Sequence, residues 1–163
     1  MILDTDDDRN RLPNSSNAVI STGEVVATGG GKQFLVIMRF FPETITVRVG
    51  ETVEWTNYDP EAPHTVTFGA EPADPTALVG VTNDLDLARH GTLPNSSTAN
   101  SFSSGFYGAA LQDQGPNPPT GPVPQTPLGV TRARVTFTQP GTYHYICALH
   151  DELGMKGAVI VLP

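Results

Sequence analysis

The sequence predicts an all-β chain, folded as an antiparallel sandwich of about seven or eight short strands. Three observations carry this. Apolar residues come in short alternating runs, as in Thr44–Val49, where Ile45, Val47 and Val49 face one way and Thr44, Thr46 and Arg48 the other. Sixteen glycines and 15 prolines among 163 residues supply frequent turns. No apolar run approaches the ~18–20 residues of a membrane span.

Residues 1–17 read as a disordered acidic linker, because Asp4, Asp6, Asp7, Asp8 and the polar run from Pro13 to Asn17 offer little to bury. They resemble a trimmed linker behind an added Met. Residues 18–163 are expected to form a single domain. Ala18–Thr28 is the first strand, closed by Gly29, Gly30 and Gly31. Gln33–Phe41 is almost continuously apolar and is therefore predicted to be covered on both faces. After Thr44–Val49 the chain turns at Gly50-Glu51, and Val53 and Trp55 point inward. His64, Val66 and Phe68 share the inward face of the next strand.

Near the end, Ala133, Val135 and Phe137 line one face, and Gln139-Pro140-Gly141 makes a turn. Tyr143, Tyr145 and Cys147 follow on one inward face, with the Tyr143 hydroxyl expected to anchor that turn. Gly157–Leu162 closes the sheet.

Between Gly69 and Val130 the pattern lapses for about sixty residues, too many for an ordinary loop. This insert, 70–130, carries a weak helical period at Leu78–Ala88. Its proline-rich loop, 115–127, holds Pro116, Pro118, Pro119, Pro122, Pro124 and Pro127, and is read as stiff and extended. Strand direction puts this loop at the same end of the fold as Cys147. The insert leaves after Gly69 from the opposite end.

Nine basic against 17 acidic side chains give a net charge of −8. That argues against nucleic acid and anionic membranes, and favours a basic protein partner. A single cysteine excludes an internal disulfide.

The most informative stretch runs from Gly141 to Gly157. It holds that cysteine, Cys147, then His150 and Met155, in the spacing C-x2-H-x4-M. Thiolate, imidazole and thioether are soft ligands preferred by a copper ion cycling between Cu(I) and Cu(II). His64 is the candidate second imidazole. Two His, one Cys and a weak axial Met make a type 1 (blue) copper site, with one copper per chain. A lone buried cysteine is more often a small core hydrophobe, but here His follows at +3 and Met at +8 on a glycine-flanked loop. Met38 is read as core, His144 as a solvated sheet residue, and His90 as part of the insert.

These residues resemble the cupredoxins, closest to plastocyanin-like and amicyanin-like bacterial members. Phe41-Pro42, Ile45, Val47, Gly50, Val53, Trp55, Asn57 and Pro63-His64-Thr65-Val66 match the first half of the pattern. Phe137, Pro140-Gly141-Thr142-Tyr143, Tyr145, Cys147, His150, Leu153-Gly154-Met155-Lys156-Gly157, Val159 and Val161 match the second. The resemblance implies a Greek-key β-sandwich and a one-electron carrier rather than an enzyme. It also implies that the N–H of Thr65, next to the first ligand His, donates to the cysteine sulfur. Many small members carry Pro two residues after the Cys. Leu149 stands there instead, and its N–H is expected to give the sulfur a second hydrogen bond that raises the reduction potential.

The expected electron exit is the edge of His150, within a collar of Ala148, Leu149, Leu153 and Gly154 rimmed by Asp151 and Glu152. Ile146, outward beside the cysteine, makes a poorer exit. The expected partner is a basic redox protein, such as a c-type cytochrome or a reductase or oxidase. A monomer is expected, in the periplasm or outside the cell, with room for a membrane tether through a removed N-terminal segment. The alternative is an electron-donor domain of a larger copper enzyme of nitrite reductase or oxidase type. A self-contained multicopper oxidase is disfavoured, because Cys147 is flanked by Ile146 and Ala148 and four histidines cannot build a trinuclear cluster. A copper store is disfavoured by the scarcity of Met and Cys.

Overall fold

Alternating β-branched and aromatic residues build two five-stranded sheets, packed face to face around one core. The computed structural model describes residues 18–27, 34–57, 63–73, 81–82, 87–96, 100–107 and 128–163. The acidic head 1–17 and the proline-rich loop 115–127 lie outside the described residues. The strands are β1 (Ala18–Ala27), β2 (Phe34–Phe41), β3 (Thr44–Arg48), β4 (Thr52–Asn57), β5 (Thr67–Phe68), β6 (Val81–Thr82), β7 (Ala88–Leu93), β8 (Phe102–Ser103), β9 (Leu128–Gly129), β10 (Arg132–Phe137), β11 (Gly141–Ile146) and β12 (Lys156–Leu162). One sheet runs β2-β1-β4-β10-β7, the other β3-β12-β11-β5-β8, and β6 pairs with β9 apart from both. No helix among the described residues is long and apolar enough to cross a membrane.

The sandwich has more strands than the sequence predicts, and it is not purely antiparallel. β1 with β4, β10 with β7, and β12 with β3 are parallel pairs. The cause is the path between sheets. After β2 the chain crosses to the second sheet as β3, and β4 then returns to the first sheet beside β1 in the same direction.

The extra strands come from the insert. Of Leu78–Ala88, where the sequence carries a weak helical period, the described residues include strand at Val81–Thr82 and Ala88, which opens β7. Pairing with distant partners, β9 and β10, outweighs a weak local period. β2 also departs from expectation. It is an edge strand, and at its described end Arg39 and Phe41 are exposed while Phe40 is buried, so only one face is covered there. Val49 lies beyond the end of β3 and is likewise exposed, at 40%.

The core is as the alternation predicts. Val53, Trp55, Val66, Phe68, Ala133, Val135, Phe137 and Tyr145 are all buried. Trp55 meets Tyr145 and Phe68 edge-on, with ring centroids 5.2 and 5.7 Å apart, contacts that each add roughly 0.5–1.5 kcal/mol beyond area burial. Tyr143 Oη donates to Gln139 O at 2.9 Å, fixing the turn into β11 as expected.

One feature is not foreshadowed by alternation. Glu54 and Arg134 lie in register on β4 and β10, on the face opposite Trp55 and Ala133. They form a 2.6 Å ion pair with side chains only 1% and 6% exposed. Thr56 Oγ1 donates to the other carboxylate oxygen at 3.2 Å. Removing one member of such a pair strands a buried charge. Arg134→Met should therefore cost about 3 kcal/mol in urea unfolding, and adding Glu54→Leu should recover most of the loss. Equal, additive losses would show that the pair contributes no coupling.

Candidate metal centre

Antiparallel pairing of β11 with β5 sets Tyr145 against Phe68 and Ile146 against Thr67. Continuing that register past the strand ends carries Cys147 to the level of Val66 and Ala148 to that of Thr65, next to His64. The backbone then locks the two segments together. Thr65 N–H donates to Cys147 Sγ at 3.4 Å, and Ala148 N–H donates to Thr65 Oγ1 at 2.7 Å. Thr65 thus serves the sulfur with its backbone and the following residue with its side chain.

His64 is held from the other side by the insert. Its N–H donates to Tyr107 O at 3.2 Å, and Tyr107 N–H donates back to His64 O at 2.9 Å. Asn57 Nδ2 donates to the same Tyr107 carbonyl at 3.1 Å. The Tyr107 hydroxyl shares a 2.5 Å hydrogen bond with Thr22 Oγ1 in the core. Burial raises the Tyr107 pKa well above its ordinary value, the Thr22 bond partly opposing it and the nearby Cys147 sulfur adding to it. The phenol therefore stays protonated.

The loop after Cys147 hangs largely on two carbonyls. His150 N–H donates to Cys147 O at 3.0 Å, while Leu153 and Met155 N–H both donate to His150 O, at 3.0 and 3.1 Å. Asp151–Leu153 forms a single 3-10 turn, ended by Gly154 in the left-handed region at φ 83°, a conformation that favours glycine. Cys147 N–H closes the loop on Met155 O at 3.0 Å. The fold thereby returns Met155 to the base of the loop, fully buried.

His64 Nδ1 lies 3.7 Å and His150 Nδ1 3.4 Å from Cys147 Sγ. One donor atom from each of the three residues lies within 4.8 Å of the others. Metal–thiolate and metal–imidazole bonds of about 2.3 and 2.0 Å, opened to roughly 120°, would put sulfur and nitrogen about 3.7 Å apart. The donor set therefore fits a trigonal metal. His64 and Cys147 are fully buried, whereas His150 keeps part of its surface exposed.

Burial pushes the Cys147 thiol up from its ordinary value. Opposing this, backbone N–H groups of Thr65, Leu149 and His150 and the Thr65 hydroxyl pull it down. These donors favour the thiolate, the form that binds metal. The Thr65 N–H, 3.4 Å from Sγ, is the donor that the resemblance implies.

Of the other sequence candidates, His144 and His90 are exposed on β11 and β7 and stand outside the cluster, and Met38 packs against the core. Sequence reasoning missed Tyr107, which lies in a stretch without periodicity, and gave Asn57 no role, although it belongs to the quoted pattern.

Residues 128–162 match the family model described as copper binding proteins of the plastocyanin/azurin family. The matched stretch contains Cys147 and His150, which the two-sheet sandwich brings into one cluster with His64.

Among solved structures, the chain is similar to the oxidised plastocyanin of Dryopteris crassirhizoma, at 19% identity over 88% of this chain and 99% of that one, with a TM-score of 0.45. It is also similar to a Cu(I) form of an amicyanin variant, at 18% identity over 89% and 81% of the two chains, TM-score 0.44. A pseudoazurin from Sinorhizobium gives 17% identity over 90% and 73%, TM-score 0.42.

Thr65→Val keeps the shape of the side chain and removes the acceptor for Ala148 N–H. Its expected cost is about 1–2 kcal/mol in chemical denaturation of the copper-free chain. No loss of stability would mean that the cross-link between the two ligand segments is idle.

Proposed function

We propose that the chain is a blue copper electron carrier. One copper would be held by His64 Nδ1, Cys147 Sγ and His150 Nδ1, with the Met155 thioether as a further ligand. The observation that carries this reading is the convergence of one thiol and two imidazole nitrogens within 4.8 Å. Copper bound there would supply a one-electron couple.

The protein's own part is to hold the donors and exclude water. His64, Cys147 and Met155 are fully buried. Their backbones are tied by Tyr107, Thr65 and the hydrogen bonds of the loop. Ligands fixed in this way rearrange little between oxidation states, which suits electron transfer.

His150 is the one member of the cluster with exposed surface. It is framed by Leu149 and Leu153, which are 44% and 60% exposed. This supports exit through the His150 edge in a dry, close contact. A net charge of −8 supports a basic partner, such as a c-type cytochrome or a reductase or oxidase. The family likeness supports a periplasmic or extracellular site of action.

Adding Cu(II) should give an intense thiolate-to-copper absorption in the red, bleached reversibly by a reductant, and Cys147→Ser should abolish it. A colourless Cu(II) complex, or turnover of nitrite or oxygen, would overturn the carrier reading. The N–H groups that face the sulfur draw charge from the thiolate and so favour Cu(I). Leu149→Pro removes one of them and should lower the reduction potential. A potential that stays put or rises would show that this donor does not tune the site.

A further inference from the structure

The ligand loop is joined to the rest of the sandwich at a point that the copper reading does not use. Leu153 closes the 3-10 turn, and its carbonyl accepts from Arg39 Nη1 at 2.7 Å. Arg39 stands on β2, the edge strand of the opposite sheet, 114 positions away. The same nitrogen donates to Met38 O at 2.7 Å, which fixes the guanidinium against its own strand. The guanidinium also lies over Gly154. A Cβ built there would stand 3.4 to 3.7 Å from Nη2, Nη1 and Cζ, in ordinary contact. The turn has acidic residues, Asp151 and Glu152, in its first part and no basic residue of its own at its end. Arg39 supplies that charge from outside.

We infer that Arg39 is a positioning residue for the metal loop, strapping the turn between His150 and Met155 to the edge of the other sheet. The inference rests on the copper reading only for its consequence, not for the contact itself. Leu153 N–H and Met155 N–H hang on the same His150 carbonyl. A restraint on Leu153 is therefore passed to both candidate ligands. Arginine suits the task, because a planar fork can donate to two carbonyls while stacking over a glycine. The bond is charge-assisted but lies at an exposed site, so its effect should be local rather than global.

Backbone hydrogen exchange in the copper-free, full-length chain tests this. Arg39→Met should speed exchange of the Leu153, Gly154 and Met155 amides about fivefold, the factor for a bond of about 1 kcal/mol, and leave β4 and β10 unchanged. Arg39→Lys, which keeps a charged donor, should restore most of the protection. In the copper-loaded chain, Arg39→Met should shift the reduction potential and Arg39→Lys should return it toward that of the unaltered protein. Unchanged loop exchange in Arg39→Met, a uniform rise across the sheets, or a Lys variant that behaves like Met would each overturn the strap. Absence of the red absorption in the unaltered chain would overturn the copper reading instead, and the exchange result would still decide the strap.

Discussion

The pairing of β11 with β5 is the constraint on which the site depends. It sets Ile146 against Thr67 and so brings a sulfur near the end of the chain close to an imidazole from its first half. Sheet registers move in steps of one residue, and a slip of one would turn Cys147 outward. The register is protected from slipping by what lies behind it. Tyr145 packs against Trp55, Phe40 and Phe68. It also lies across Gly157, where a Cβ would meet its hydroxyl at 2.5 Å. Aromatic packing two residues before the cysteine thus fixes the position of the sulfur.

The polar groups around the sulfur extend this order into a water-poor site. A buried thiol resists ionisation, so burial alone would disfavour the form that binds metal. Backbone N–H groups of three residues oppose that penalty, and they come from both segments that meet at the site. Of these donors, the Thr65 N–H stands 3.4 Å from the sulfur and ties the two segments together. Tyr107 and Arg39 play parallel parts at the two flanks: one pairs with the backbone of His64, the other with the turn after His150.

Much of this was legible in the sequence. Cys147, His150 and Met155 stand close together on one loop. His64 was identifiable because it shares an inward face with Val66 and Phe68, all three of them buried. The inward faces around Trp55 and Val135 followed from simple alternation. What escaped depends on contacts between distant segments. β7, with the sequence ARHGTL, buries only Ala88 and Leu93, so its composition does not announce a strand. Phe34–Phe41 looks like a central strand, yet it occupies an edge. Glu54 occupies an outward position by alternation, yet it is buried and paired with Arg134, which stands beside it in register. Tyr107 and Arg39 reach the site across long stretches of chain, with no local spacing to mark them.

X-ray absorption at the copper edge of the loaded protein tests the proposed ligand set most directly. One short sulfur contact and two imidazole nitrogens are expected. The sulfur contact should vanish in Cys147→Ser, and one nitrogen should vanish in His64→Ala. A copper environment of oxygen and nitrogen alone, unchanged by either substitution, would contradict it.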